Sequence, residues 1–245
     1  MEKQSPLTTA INKYRHADEV QGALTAAERI VPLVLETIGE VRSVVDLGGG
    51  TGVWLRRFQM CGVPKVMLID RPDVEPDLVI DRTCFQAADL NKSFPSTSRF
   101  DLAVCVECAE HLRADRAQPL VEWLTGAADR IVFSAAIPGQ GGKGHINERL
   151  PSYWSKLFRQ RGFVRRDVLR RSLIMSKAIP WWYRQNLLLY TSQEVVLKSK
   201  EMDFVSEEFV LTNETLIENM GTRFLFRQLV RALGSTLRRR LRRSS

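Results

Sequence analysis

The chain has 245 residues, 44% hydrophobic and 26% charged, with a formal net charge of +8. That is enough for one sizeable core with additions, and the composition excludes a wholly disordered protein. No apolar run approaches the roughly 20 residues that cross a bilayer, and residues 1–15 lack the apolar core of a signal peptide, so a cytoplasmic protein is expected.

Residues 18–38 read as a helix, with Pro32 expected to split or kink it. Residues 41–47 are a β-branched run ending in glycines, the pattern of a buried parallel strand. A helix over 53–61 and a strand over 65–70 follow, and Pro72 and Pro76 break the next loop. Residues 100–106 read as a strand, 114–128 as a helix and 130–135 as a strand. This alternation implies βαβ units and a parallel sheet covered on both faces, with right-handed crossovers. After Ala136 a glycine-rich loop runs to Gly144. Residues 151–160 then read as a helix, with proline at its start and Gly162 past its end. A late strand falls around 186–191 or slightly beyond, and no internal repeat is present.

The strongest local signal is Val44-Val45-Asp46-Leu47-Gly48-Gly49-Gly50-Thr51-Gly52. The glycines permit a tight strand-to-helix turn and let bare backbone approach a ligand. The helix that follows offers unpaired N–H groups suited to a carboxylate or phosphate. A phosphate-binding P-loop needs Gly-Lys-Ser/Thr after four spacers, which is absent. A dinucleotide fingerprint counted from Gly48 puts Val53 where glycine or alanine belongs. The spacing is D-x-G-x-G-x-G, led by Asp46.

This motif resembles the first motif of class I S-adenosylmethionine-dependent methyltransferases, in the small-molecule and glycan-type subgroup, over roughly residues 40–200. Three further pieces extend the resemblance. Val66-Met67-Leu68-Ile69-Asp70 places a carboxylate at a strand end, where it can accept both ribose hydroxyls. Ala87-Ala88-Asp89-Leu90 is similar to the family's acidic segment near the adenine amine. Phe100 to Cys105 looks like the family's fourth strand, leading to Glu107-Cys108-Ala109-Glu110-His111-Leu112, close to the E-x-x-E-H-L of many small-molecule members. The resemblance implies a Rossmann-like, mostly parallel seven-stranded sheet with helices on both faces, plus an N-terminal helix and a C-terminal helical extension. It implies an N-terminal segment over 1–40, a methyltransferase domain over 41–200 and an extension over 201–245. The cofactor it implies is S-adenosyl-L-methionine, held by Asp46, Gly48, Gly50, Gly52, Asp70, Asp89 and Glu107. Asp101 reads as a strand-start residue without chemistry.

On the acceptor side, many family members that modify amides or exocyclic amines carry N/D-P-P-Y/F after the fourth strand. Its absence leans towards an oxygen acceptor, whose hydroxyl needs a base or a metal. The histidines are His16, His111 and His145. His111 follows the fourth strand, and His145 lies in Pro138-Gly139-Gln140-Gly141-Gly142-Lys143-Gly144-His145-Ile146-Asn147-Glu148, which suits a loop over a ligand. His145 is the preferred base and His111 the second candidate. His145, Glu148 and Glu110 make an incomplete ligand set, and no metal is expected. Trp181-Trp182-Tyr183-Arg184-Gln185-Asn186 reads as packing residues or as a wall for a ring-shaped or sugar-like acceptor, and is not assigned to the site.

Cys105 and Cys108 form a C-x-x-C pair, beside Cys61 and Cys84. A structural zinc site needs about four ligands, and no second pair has matching spacing. A redox pair opens a helix, whereas this one follows a strand. Buried thiols in a reducing compartment are the expectation.

The positive charge sits at one end. Residues 219–245 contain eight arginines and no Lys, Asp or Glu, leaving the remainder near neutral. Phe226, Leu229, Val230, Leu233, Leu237 and Leu241 recur at helical spacing, which reads as a basic amphipathic helix. It packs on the domain or meets an anionic membrane surface, which for this protein would be the inner membrane. Nucleic acid is not expected, since the basic end lacks interleaved aromatics. The expected activity is O-methylation of a small molecule or glycan. The alternatives are an RNA or protein methyltransferase using the tail, or a non-catalytic cofactor-binding partner subunit.

Overall fold

The computed structural model describes residues 17–96 and 98–197. His16, the extension read over 201–245 and the basic tail read from 219–245 lie outside the described residues.

Helix α1 (Ala17–Ile38) leads into β1 (Ser43–Leu47), α2 (Val53–Met60), β2 (Lys65–Asp70) and β3 (Phe85–Ala87). Next come β4 (Leu102–Val106), α3 (Ala117–Ala127), β5 (Arg130–Ser134) and α4 (Pro151–Gln160). The last elements are β6 (Phe163–Arg166), short helices α5 (Arg170–Leu173) and α6 (Trp181–Asn186), and β7 (Leu188–Ser192). Seven strands form one sheet in the order β3-β2-β1-β4-β5-β7-β6. The pairings from β3 to β5 are parallel, while β7 runs antiparallel to both β5 and β6. This is the Rossmann-like, mostly parallel seven-stranded arrangement expected from the sequence.

Strand side chains alternate between faces, and here both faces are covered. Val44, Leu68, Leu102, Val104, Val132 and Leu189 join a core with Ile30 and Val34 of α1 and Leu55 and Phe58 of α2. Their strand neighbours Val45, Ile69, Ala103, Cys105, Ile131 and Tyr190 pack on the opposite face with Leu120 and Leu124 of α3 and Trp154 and Phe158 of α4. Continuous apolar runs in β1, β4 and β5 follow from this two-sided burial.

Several boundaries differ from the sequence reading. Helix α1 runs through Pro32 without interruption; Pro32 lies on the exposed side, while Val31 and Val34 are fully buried. Residues 114–116 form a 3-10 turn before α3. The late strand starts at Leu188 because residues 181–186 are helical. The β3 and β6 edge strands carry exposed or half-exposed polar residues, so neither shows the apolar run that marks a central strand. Asp101 ties two central strands together, its Oδ2 accepting from the Arg42 and Ser43 amides at 2.8 and 2.9 Å.

Strand order reverses between β1 and β4. In open α/β sheets the crevice beyond the carboxyl ends at such a point is where ligands bind, and most candidate residues below come from strand ends and loops on that edge.

Candidate active site

The glycine turn after β1 opens a cavity of about 480 Å³, within the ~300–1,000 Å³ usual for small-ligand sites. Asp46, Gly48, Gly49, Gly50 and Thr51 line it from β1 and the turn, Arg71, Asp73 and Asp77 from the loop after β2, and Glu107 from the end of β4. Gly48 has φ of 76°, in the left-handed region that favours glycine. Asp70 Oδ2 accepts from the Gly50 amide at 2.7 Å, and Oδ1 accepts from the Arg71 amide at 2.6 Å. The second strand's carboxylate is thus fixed against the glycine turn. Burial raises its pKa from the ordinary aspartate value, while the two amides oppose that shift. Asp46 is only 1% exposed, and its Oδ2 has no hydrogen-bond partner among the described residues. Burial, and then the charge of Asp70, push its carboxyl well above the usual range.

Glu107 is the one non-glycine residue with positive φ among the described residues, at 51°. Such strain persists where surrounding bonds over-determine it, and here they do. The Ser134 hydroxyl donates to Glu107 Oε1 at 2.7 Å and accepts from the Glu107 amide at 3.0 Å. Gln140 Nε2 donates to Oε2 at 3.3 Å, and Gln140 Oε1 accepts from Asn186 Nδ2 at 2.8 Å. Burial raises the Glu107 pKa against these hydrogen bonds.

A second cavity, of about 430 Å³, shares Glu107 and Tyr183 with the first. Its other walls are Glu110 and His111 after β4, Gln140 to Lys143 and His145 after β5, and Trp181 and Trp182 of α6. His145 Nδ1 lies 3.2 Å from Glu148 Oε1. Glu148 also accepts from the Gly139 amide through Oε2 and the Gly141 amide through Oε1, each at 2.8 Å. A carboxylate only accepts, so Nδ1 carries the hydrogen in this pair, and in the neutral ring the lone pair then lies on Nε2. The His111 and His145 rings meet edge to face, with centroids 4.9 Å apart. The two loops are joined by Ile146 and Asn147 amides donating to the Glu110 carbonyl at 2.9 and 3.0 Å. Glu110 is fully buried, and no hydrogen bond of ordinary geometry satisfies its carboxyl among the described residues. Burial, and then the charge of Glu107, push it up to about 8.

The structure gathers Asp46, Gly48, Gly50, Asp70 and Glu107 around the first cavity or its turn, with Gly52 capping α2. It gathers His111 and His145 at the second. Asp89 is placed elsewhere: its carboxylate accepts from the Asn91 amide and pairs with Lys92, and it does not line the first cavity. Its turn-forming bonds account for an acid at that position. Sequence reasoning missed Tyr183 and the Ser134–Gln140–Asn186 network. Trp181-Trp182-Tyr183, read either as packing residues or as an acceptor wall and left unassigned, lines the second cavity, and Tyr183 also lines the first. The C-x-x-C thiols are buried and unbridged, as read, while Cys61 is exposed.

Residues 14–123 match a family described as a methyltransferase domain. No curated protein matches the chain. Among solved structures, a chain of the Haloferax volcanii complex between the Trm112 methyltransferase activator and a methyltransferase is 14% identical, with a TM-score of 0.55, over 78% of this chain and 99% of that one. Human N-acetylserotonin methyltransferase in complex with SAM is 18% identical with a TM-score of 0.47, over 77% of this chain. The present chain spans 59% of the human protein's length. An amino pentose methyltransferase from Micromonospora echinaspora involved in calicheamicin biosynthesis is 14% identical with a TM-score of 0.48, over 79% of this chain and 98% of that one. Residues 14–123 are thus similar to methyltransferase domains, and the sheet order is that of a Rossmann-like methyltransferase fold. The first cavity is compatible with S-adenosylmethionine: Gly48 and Gly49 leave no room for a β-carbon, the Asp70 carboxylate is held by the Gly50 amide, and the Asp46 carboxyl is buried with an unpartnered oxygen.

Proposed function

We propose that the chain O-methylates a small molecule or glycan seated in the second cavity. The observation that carries this reading is the wall of Glu107 and Tyr183 common to both cavities, with the His145–Glu148 pair on the acceptor side. S-adenosylmethionine supplies, when bound, a methyl group on a sulfonium whose sulfur keeps the electrons of the breaking S–C bond. Asp70 would hold the ribose hydroxyls, and the backbone of Gly48 and Gly50, with Glu107, would hold the amino-acid end.

The acceptor hydroxyl contributes the oxygen lone pair of the new C–O bond and loses its proton. The Nε2 lone pair of His145 activates it, with Glu148 holding the ring in one tautomer. Trp181, Trp182 and Tyr183 offer flat apolar faces to a ring-shaped or sugar-like acceptor. Alignment of acceptor and methyl supplies the rest of the rate enhancement.

Calorimetric titration with S-adenosylmethionine, followed by a labelled-methyl screen across glycans, small alcohols and RNA, tests the reading. The expected result is cofactor binding and label in a small-molecule or glycan hydroxyl. His145→Gln should lower turnover about 10²–10⁴-fold with cofactor affinity retained. Label appearing only in RNA or protein, or turnover unchanged in the variant, would overturn it.

A further inference from the structure

We infer that Glu110, His111 and His145 together hold a divalent transition-metal ion on the acceptor side of the site. The inference rests on the reading of the second cavity as the acceptor pocket, and specifies how the His145 lone pair acts in the loaded enzyme.

One ligand atom from each of these residues lies within 4.8 Å of the others. Two imidazoles and one carboxylate form the donor set of catalytic zinc and of non-haem iron sites, which leave positions open for substrate. Imidazole suits ions such as Zn²⁺, Fe²⁺ or Ni²⁺, whereas Mg²⁺, Ca²⁺ and Mn²⁺ favour oxygen ligands. Glu110 adds an independent observation. It is fully buried at the cavity wall, where it faces the Glu107 carboxyl and no hydrogen bond of ordinary geometry satisfies either of its oxygens among the described residues. A buried carboxyl in that condition is costly unless a proton or a cation satisfies it.

The surroundings are those of a ligand set. His145 Nδ1 is already bonded to Glu148, which two backbone amides hold in turn. A carboxylate behind the ring is the usual outer support of a metal-binding histidine. The amides of Ile146 and Asn147, bonded to the Glu110 carbonyl, fix the two ligand-bearing loops together. An ion here lies beside the acceptor, where it lowers the cost of removing the hydroxyl proton. The His145 lone pair is then a base in the stripped protein and a ligand in the loaded one.

The test uses the full chain, stripped with a chelator and titrated with Co²⁺, followed by its visible absorption and by Zn²⁺ competition, with Mg²⁺ as control. A saturable band displaced by Zn²⁺ and not by Mg²⁺ is expected. His111→Ala and Glu110→Gln should each weaken Co²⁺ binding at least about tenfold, and Glu148→Ala about 10–100-fold. Melting temperature and S-adenosylmethionine affinity verify that each variant folds. His111→Ala, at an exposed position, keeps the test usable if Glu110→Gln does not fold. Absence of a cobalt band, or one that His111→Ala leaves intact, overturns the inference. Methyl transfer that persists in chelator without cobalt binding overturns the ion and leaves the proposed function standing. Failure of the wild type to bind S-adenosylmethionine overturns the proposed function instead.

Discussion

A β-carbon built on Gly48 would lie 2.1 Å from the sulfur of Cys108. The residue after β4 therefore fills the space that glycine leaves in the turn after β1, and the C-x-x-C spacing has a packing explanation. Gly48→Ala must displace that sulfur as well as hold alanine at positive φ. The expected loss is about 2–3 kcal/mol of stability, with weaker cofactor binding. Cys108→Ala in the same chain should recover about 1 kcal/mol, read as a coupling term in a double-mutant cycle by chemical denaturation. Strict additivity would mean the two residues do not press on one another.

Asp70 should make cofactor affinity pH-dependent. Ribose hydroxyls donate to the ionised carboxyl, so protonation weakens the complex. Because burial raises this pKa, affinity should begin to fall at a higher pH, as the solution is acidified, than an ordinary aspartate would give. Calorimetric dissociation constants across a pH series check this. Asp70→Asn should bind weakly with a flat profile over the same range; a slope unchanged in that variant would assign it to another group.

Asp46 bears on stability. Its pKa is raised in the fold, so the folded chain keeps a proton that the unfolded chain releases. That contribution is present in full below the unfolded value and is lost as pH rises towards the folded one. Asp46→Asn removes the titration. Its melting temperature relative to wild type should therefore climb between acid and neutral pH. Parallel melting curves for the two proteins would contradict the assignment.

Gly142 lines the second cavity against His145. Its φ is 151°, and a β-carbon there would meet Cε1 and Nε2 of His145 at 2.4 Å. Gly142→Ala should displace the imidazole and lower kcat about 100-fold, while S-adenosylmethionine affinity stays within about twofold. Steady-state kinetics with calorimetry measure both, and a parallel loss of the two would show that the loop supports the cofactor as well.

The central strands were legible because burial on both faces writes an unbroken apolar run into β1, β4 and β5. The glycine turn was legible because its steric demand leaves few alternatives, and Asp70 because it ends the neighbouring strand. The edge strands β3 and β6 were not, since a half-solvated three- or four-residue segment carries little periodicity. Tyr183 was hidden for another reason. Its aromatic run looks the same whether it fills a core or walls a pocket, and only the antiparallel insertion of β7 brings α6 to the catalytic edge. Glu110 and His111 were visible as a motif, but their meeting with His145 depends on backbone bonds between two loops 35 residues apart in sequence, counting from Glu110 to His145.

Glu107 and Tyr183 each belong to both chambers, and this constrains descent. On the proposed function, a substitution that reshapes the second cavity at either position also alters the first, where the methyl donor would sit. Drift towards new substrates should therefore run through Trp181, Trp182 and Lys143, which touch the acceptor chamber alone.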